Sequence, residues 1–97
     1  LKVNGDINYV GTLNDISDIA IKDDIRDTPS ALDVLLNLRV RDYFNTLTGK
    51  NETGLVAQEV QPVMPQLVNP FDEKHLGVSY HNLIPYLVKA IQELAAK

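Results

Sequence analysis

Three absences narrow what this chain can be. It contains no cysteine, so a disulfide framework and a thiolate metal site are both excluded, while the redox compartment stays open. It has no apolar run of about 18 residues, so we predict no membrane-spanning helix and no membrane partner. Basic residues are few, with nine Lys and Arg scattered among thirteen Asp and Glu for a net charge of −4. Without a basic patch, nucleic acid is not an expected partner.

Candidate ligands for metals and cofactors are also scarce. His75 and His81 are six residues apart, which does not suit ligation from one helix face; we interpret His75 as a loop residue and His81 as the start of a helix. Four acidic residues lack the pattern of an EF-hand loop and predict a solvated face: Asp18, Asp23, Asp24 and Asp27. The glycines form no phosphate-binding motif. We therefore predict neither a metal nor a cofactor.

What is present fits one small domain. A chain of 97 residues with 44% hydrophobic content buries a modest share of its surface and gains stability from oligomerisation. Residues 1–13 alternate short β-prone runs with turn signals at Asn4-Gly5 and Gly11, which predicts the end of a strand-rich stalk or a simple hairpin. Because the chain starts at Leu1 and not at methionine, we expect a longer protein around it.

Short helices and strands are predicted to alternate through the middle of the chain. In order, they are a helix over 30–37, a strand over 39–44, a loop over 48–54, a strand over 55–56, a helix over 57–63, a loop over 67–73 and a strand over 76–80. Ser30 and Asp33 have the spacing of a capping box at the start of the first helix. Pro65 is expected to stop the second helix. The pattern predicts an α+β fold.

The last segment, 82–97, is the clearest helix of the sequence, with Pro85 expected in its first turn. Its apolar residues recur at alternating steps of three and four, the spacing of a coiled-coil seam: Ile84, Leu87, Ile91 and Leu94. Two heptads fit an ordinary amphipathic core helix equally well. The residues alone leave both interpretations open.

Ser17 and Lys22 are five residues apart and form a candidate catalytic pair. A serine hydroxyl needs a nearby base to become a nucleophile, and a lysine amine serves as that base only where burial favours its neutral form. The isoleucines within 19–21 would help to desolvate the lysine, whereas the acidic pair 23–24 would favour the ammonium form. Taken alone, Ser-Asp before an apolar run is more typical of a turn or a helix cap.

Three further blocks follow this pair in order: TGLVAQEV at 53–60, VMPQLV at 63–68 and VSYHNL at 78–83, and an apolar helix closes the chain. The combination resembles the peptidase S74 family, the intramolecular chaperone domain at the C-terminus of phage tail spikes, tail fibres and endosialidases. The resemblance covers about residues 14–97.

The resemblance implies a homotrimer whose long C-terminal helix joins a three-helix bundle at the seam named above. It implies that residues 17–97 are the chaperone domain and residues 1–16 the end of the β-structured fibre that it helps to fold. Autoproteolysis would then release the chaperone at the junction Ile16-Ser17-Asp18, with Ser17 as nucleophile and Lys22 as base. Gln58 is a third candidate, but some members carry histidine there and glutamine cannot act as a general base.

Several alternatives stay open at this point. Attack by Ser17 on the carbonyl of Ile16 passes through a five-membered ring, whereas a cut after Ser17 needs a serine from another subunit or an activated water. A non-cleaving trimerisation module of the same fold is the rival function, and a generic α+β binding domain is the third. The β-prone, glycine-punctuated sequence of residues 1–13 favours a phage fibre precursor assembled in the host cytoplasm. Related domains also occur in eukaryotic membrane-bound transcription factors.

Overall fold

The computed structural model describes residues 15–97, so the predicted stalk at residues 1–13 lies outside the described residues, as does most of the 1–16 domain. The described part is a small mixed domain of short elements and one long helix, which confirms the predicted α+β class. Its helices are α1 (Leu32–Leu35), α2 (Ala57–Val60) and α3 (Tyr80–Ala95), and its strands are β1 (Arg41–Asn45), β2 (Lys50–Gly54), β3 (Val68–Pro70) and β4 (Leu76–Val78). Two 3-10 turns lie at Ile19–Ile21 and Pro65–Leu67.

The strands form two separate antiparallel hairpins and no larger sheet among residues 15–97. In the first hairpin β1 pairs with β2, and Tyr43 lies opposite Glu52. Gly49 closes its turn with φ of 72°, a left-handed conformation that glycine adopts without a steric penalty. In the second hairpin β3 pairs with β4, with Asn69 opposite Gly77.

The hydrophobic core lies where α2, the turn after it and α3 meet. Its fully enclosed centre is Leu67, with a relative exposure of 0%, surrounded by Val60, Met64 and Leu83. Partly buried residues pack around this centre from α1, β3, β4, α3 and the segments that follow α1, β2 and α2: Leu35, Leu38, Leu55, Val63, Val68, Val78 and Tyr86. The cluster therefore joins α1, α2, the second hairpin and α3, and the first hairpin reaches it through Leu55, the residue after β2.

The first helix is shorter than predicted, and its cap is a different residue. It covers Leu32–Leu35 and not 30–37, and Ala31 at its N-cap supplies no side-chain hydrogen bond. The predicted capping box from Ser30 is therefore wrong. The carboxylate of Glu93 in α3 accepts the N–H groups of Ala31 at 2.8 Å and Leu32 at 2.9 Å. A distant carboxylate thus satisfies amide groups that a local serine was expected to cap.

Two predicted loops contain strands. β2 lies inside the loop predicted at 48–54, and β3 lies inside the loop predicted at 67–73. The strand predicted at 55–56 is wrong, because those two residues form a connection between β2 and α2. β2 is polar and β3 contains a proline, and their strand conformation comes from pairing with β1 and β4. The strand predicted at 76–80 is present as β4. The helix predicted over 57–63 ends at Val60, before Pro62 can interrupt its hydrogen bonds.

The long C-terminal helix is confirmed, but it begins at Tyr80, two residues before the predicted start. Pro85 is therefore the sixth residue of α3 and lies inside the helix, not in its first turn. Because proline has no N–H, the carbonyl of His81 lacks its usual partner four residues later. Within residues 15–97, no helix has both the length and the apolar character needed to cross a membrane.

Candidate functional site

The side chains of Ser17 and Lys22 meet, as the sequence predicted for a catalytic pair. Lys22 Nζ donates to Ser17 Oγ at 2.6 Å. The 3-10 turn at Ile19–Ile21 brings them together, since it folds the chain back between them. The turn is closed by a backbone hydrogen bond of 3.1 Å from Lys22 to Ile19, and Asp18 Oδ1 caps it by accepting from Ala20 N at 2.8 Å. Asp18 thus caps the turn, and Ser17 beside it is one member of the candidate pair.

The surroundings of this pair are open to solvent in the single chain. Every residue from Asp15 to Ser30 is exposed, and the flanking isoleucines that were expected to dry the lysine are exposed too, with Ile19 at 74% and Ile21 at 65%. Asp24 forms its ion pair with Arg26 at 3.4 Å and not with Lys22. Geometry for a serine-lysine pair is present, whereas the low-dielectric environment that a lysine base needs is not supplied by this chain alone.

The upstream side of the junction contacts the start of α3. His81 Nε2 is in contact with the carboxylate of Asp15, which lies two residues before Ser17. Ile16, which lies between Asp15 and Ser17, is 81% exposed. His81 lies at the start of a helix, as predicted from its position, but its contact with the junction was not predicted.

The block at residues 54–59 has a physical explanation in the structure. A Cβ added to Gly54 would lie 2.7 Å from Tyr80 Oη and 2.8 Å from Tyr43 Oη, so only glycine leaves room for the two hydroxyls. Tyr80 Oη accepts from the N–H of Leu55 at 2.8 Å and donates to its carbonyl at 3.3 Å. Desolvation, followed by the neighbouring Tyr80, raises the pKa of Tyr43. The glycine therefore marks where two tyrosines clamp the end of β2.

The end of the same block is fixed by an ion pair that the sequence analysis missed. Arg41 holds Glu59 with two parallel hydrogen bonds, Nε to Oε1 at 3.0 Å and Nη2 to Oε2 at 2.6 Å. The pKa of Glu59 is lowered by this hydrogen bonding, and that of Arg41 is raised. Ala57, the first residue of α2, is buried. Glu59 thus joins α2 to β1 through Arg41, and Ala57 packs α2 against the domain.

Gln58 projects differently from its neighbours in that block. It is exposed, and among residues 15–97 no hydrogen bond joins it to Ser17 or Lys22. The structure therefore does not bring all three candidate catalytic residues together within one chain.

The predicted seam of α3 is the outward face of the helix. Leu83 and Ala90 are buried and Tyr86 is half-buried, so this face packs on the domain itself. The four seam residues are 44–66% exposed, and Val88 beside them is 50% exposed; the seam is Ile84, Leu87, Ile91 and Leu94. A row of large apolar side chains thus remains uncovered along the length of α3.

His75 lies in the loop between β3 and β4, as predicted. Asp72 accepts from the N–H groups of Lys74 and His75, each at 2.8 Å, and from the His75 ring at the same distance. The ring hydrogen bond is the main cause of the lowered pKa of Asp72. These contacts order a hairpin turn. In the part of the chain that the structure describes, no three His, Cys, Asp or Glu residues cluster as a metal site would need.

Comparisons with known proteins extend this picture. Myelin regulatory factor homolog 1 of Caenorhabditis elegans is 36% identical over 106 aligned residues, which cover 97% of this chain and 11% of that protein. The chain therefore spans only a small part of that relative's length. The sequence model of the peptidase S74 family, described as chaperone of endosialidase, matches residues 17–69, a range that begins at the candidate nucleophile. Since this match covers more than half of the chain, the chain belongs to the peptidase S74 family, the chaperone of endosialidase.

Proposed function

We propose that this chain is an intramolecular chaperone that trimerises, assists the folding of a β-structured segment ahead of it, and separates from that segment by autoproteolysis at Ser17. The observation that carries the proposal is the 2.6 Å contact between Lys22 Nζ and Ser17 Oγ in a member of a peptidase family. Ser17 is the nucleophile and Lys22 is the base. Ile16, Ser17 and Asp18 form the junction.

The chemistry requires Lys22 in its neutral form. The amine takes the proton of Ser17 Oγ, and the oxygen attacks the carbonyl carbon of a peptide bond at the junction. The C–N bond then breaks, the lysine returns its proton to the leaving amine, and water hydrolyses the resulting ester. Attack on the carbonyl of Ile16 is open to the same chain through a five-membered ring. A cut after Ser17 takes a serine from a second copy or an activated water.

Assembly supplies what the single chain lacks. Burial of the exposed isoleucines around Lys22 by neighbouring copies would remove water from the amine and favour the neutral base. The uncovered seam of α3 gives those copies a surface to pack on, at the spacing of a coiled coil. Cutting would then wait for the trimer, because the base becomes competent only after assembly.

The partner ahead of the chaperone is the fibre or spike segment of the same polypeptide, and we place the precursor in the cytoplasm of a phage host. This placement rests on the sequence of residues 1–13, in which β-prone runs alternate with turn signals at glycines. Removing the chaperone after folding would leave the fibre kinetically stable, because the element that lowered its folding barrier is gone. The similarity to a worm regulatory factor supports a second placement, in which the same domain follows a segment of a regulatory protein.

A non-cleaving trimerisation module is the rival within the same family. The specific observation in its favour is that Gln58 is exposed and makes no hydrogen bond to Ser17 or Lys22 among the described residues. Such a module would keep the α3 seam and use the Ser17–Lys22 contact only to close a turn. It predicts a stable trimer that never loses mass.

Intact mass and native mass on the natural-length protein separate these functions. We would compare it with the variants Ser17→Ala and Lys22→Ala, and with Lys74→Ala as an exposed lysine remote from the junction in sequence. The proposal expects a trimer that splits at Ser17 in the natural protein and in Lys74→Ala, while the two junction variants stay whole. A trimer that is uncut in all four supports the rival module. An uncut monomer overturns both.

A further inference from the structure

The junction segment, defined as residues 15–30, is attached to the same helix at both of its ends. At its start, His81 of α3 pairs with Asp15. Just beyond its end, Glu93 of α3 accepts the N–H groups of Ala31 and Leu32. Between these attachments every residue is exposed. The segment is therefore an exposed strap joined to α3 at both ends, without a core of its own.

The number of residues between Ser17 and each attachment shows that only one attachment can fix the position of Ser17. Asp15 is two residues from Ser17, a distance that the chain spans with about 7 Å at most. Ala31 is fourteen residues away, and a chain of that length reaches up to about 46 Å. The two attachment points on α3 are only about 18 Å apart, since twelve helical residues separate His81 from Glu93. The Glu93 attachment thus leaves the strap slack, whereas the His81 attachment holds Ser17 near the start of α3.

The two anchored residues bracket the bond that would be cut. Asp15 is fixed to α3 on the upstream side, and Asp18 is fixed on the downstream side by capping the 3-10 turn. Both candidate bonds, Ile16–Ser17 and Ser17–Asp18, lie between them. Without the upstream anchor, the residue that carries the Ile16 carbonyl would rotate freely, because Ile16 has no packing partner that buries it.

We propose that Asp15 and His81 are positioning residues for cleavage: their side-chain contact holds the upstream side of the junction on α3 and sets the peptide carbonyl against Ser17. The inference rests on the proposed function. It ties the junction to the helix that carries the outward seam, so one element both gathers the copies and presents the bond to be cut. His81 touches no reacting atom in this role, because it acts on the junction through Asp15.

The test is a time course of cleavage by intact mass on the natural-length protein, with trimer content measured by native mass. The variants are Asp15→Ala, His81→Ala, the double variant, and His81→Gln, whose amide retains a donor near the position of Nε2. Each alanine variant should slow cleavage about two- to fivefold at unchanged trimer content, as expected for a side-chain contact that is open to solvent. The double variant should be no slower than either single one, and His81→Gln should recover most of the rate.

His75→Ala is the matched control, since it removes the other histidine–aspartate contact of the described residues, far from the junction in sequence. It should cut at the natural rate. Natural rates in all Asp15 and His81 variants would overturn the inference alone, as would a double variant in which the two effects multiply. A loss of trimer in His81→Ala but not in His81→Gln would assign the pair to assembly and overturn the positioning role. A natural protein that never cuts overturns the proposed function, and this inference with it.

Discussion

The junction segment, residues 15–30, and the body, residues 31–97, are built on opposite plans. The junction holds the candidate chemistry in a short turn whose residues are all exposed. The body holds all the buried residues that the structure describes, including the fully enclosed Leu67 and Val60. The candidate chemistry and the buried core therefore reside in different parts of one chain. Because the junction carries little of the folding free energy, the proposed cut would leave the body folded.

The contrast also explains why the candidate pair looks incomplete. Lys22 and Ser17 are in contact, but both residues are exposed to solvent. The pair has the geometry that a serine–lysine dyad needs and lacks the buried environment. In the body, by comparison, Arg41 and Glu59 are hydrogen-bonded to each other and are also half-buried. The unsatisfied requirement of the junction is burial. An assembly partner can meet that requirement, and the seam of α3 is the surface offered for it.

The largest effect on stability is expected from Leu67→Ala at the centre of the body. Removing a fully enclosed leucine loses its burial and leaves a cavity, which costs about 2–5 kcal/mol of unfolding free energy. Urea unfolding followed by far-UV circular dichroism measures it. Leu47→Ala is the control, because Leu47 is 89% exposed; it should stay within about 0.5 kcal/mol. Equal losses in the two variants would mean that the body does not have the core described here.

Gly54→Ala should have the next largest effect, at the tyrosine clamp of β2. The new Cβ would lie within 3 Å of both tyrosine hydroxyls, so Tyr80 would have to move from its hydrogen bonds with Leu55. Overpacking of this kind costs about 1–2 kcal/mol. Adding Tyr43→Phe should recover part of the loss. Gly77→Ala is the matched control, because its Cβ would meet only ordinary contacts at 3.7 Å and 3.8 Å. A Gly54→Ala protein as stable as Gly77→Ala would contradict the clamp.

Local sequence signals predicted some of these features and could not predict others. The 3.6-residue periodicity of α3 and the Ser17–Lys22 spacing act within a few residues of the chain; the helix is confirmed and the two side chains are in contact, while their catalytic role stays a prediction. The cap of α1 was missed because Glu93 lies 62 positions from Ala31. β2 was missed because its polar sequence takes strand form only by pairing with β1. The Asp15–His81 contact joins the junction to a distant helix, and no local pattern signals it.

Glu93→Gln tests the attachment between the two regions, with a smaller effect that depends on pH. The Ser30 hydroxyl, followed by the N–H of Ala31, lowers the pKa of Glu93 in the folded chain. A carboxyl whose pKa is lowered on folding stabilises the protein above its unfolded pKa of about 4.3, and this contribution is lost as pH falls through the folded pKa. The variant should therefore lower the Tm at neutral pH and flatten its fall in acid.

Thermal unfolding between about pH 6 and pH 3 measures this effect, across the range in which glutamate ordinarily titrates. Part of the acid dependence should persist, because the pKa values of Glu59 and Asp72 are also lowered by their hydrogen bonds. Glu73→Gln is the control, since Glu73 is an exposed loop residue. An acid limb of the same slope in Glu93→Gln and in the natural protein would show that the carboxylate does not cap α1.

Lys22→Ala should have the smallest effect on the stability of the single chain. It gives the sharpest test of the contrast between the junction and the body. Its contact with Ser17 lies in solvent, where polar contacts add little net stability, so the Tm of the isolated domain should not change measurably. Cleavage in the assembled natural-length protein should nevertheless stop. Comparing thermal unfolding with intact mass separates these outcomes, with Ser17→Ala as the parallel variant. A drop in Tm comparable to that of Leu67→Ala would make the junction part of the fold. The 2.6 Å contact would then be explained by folding alone, and the division of the chain into a stable body and an expendable junction would fail.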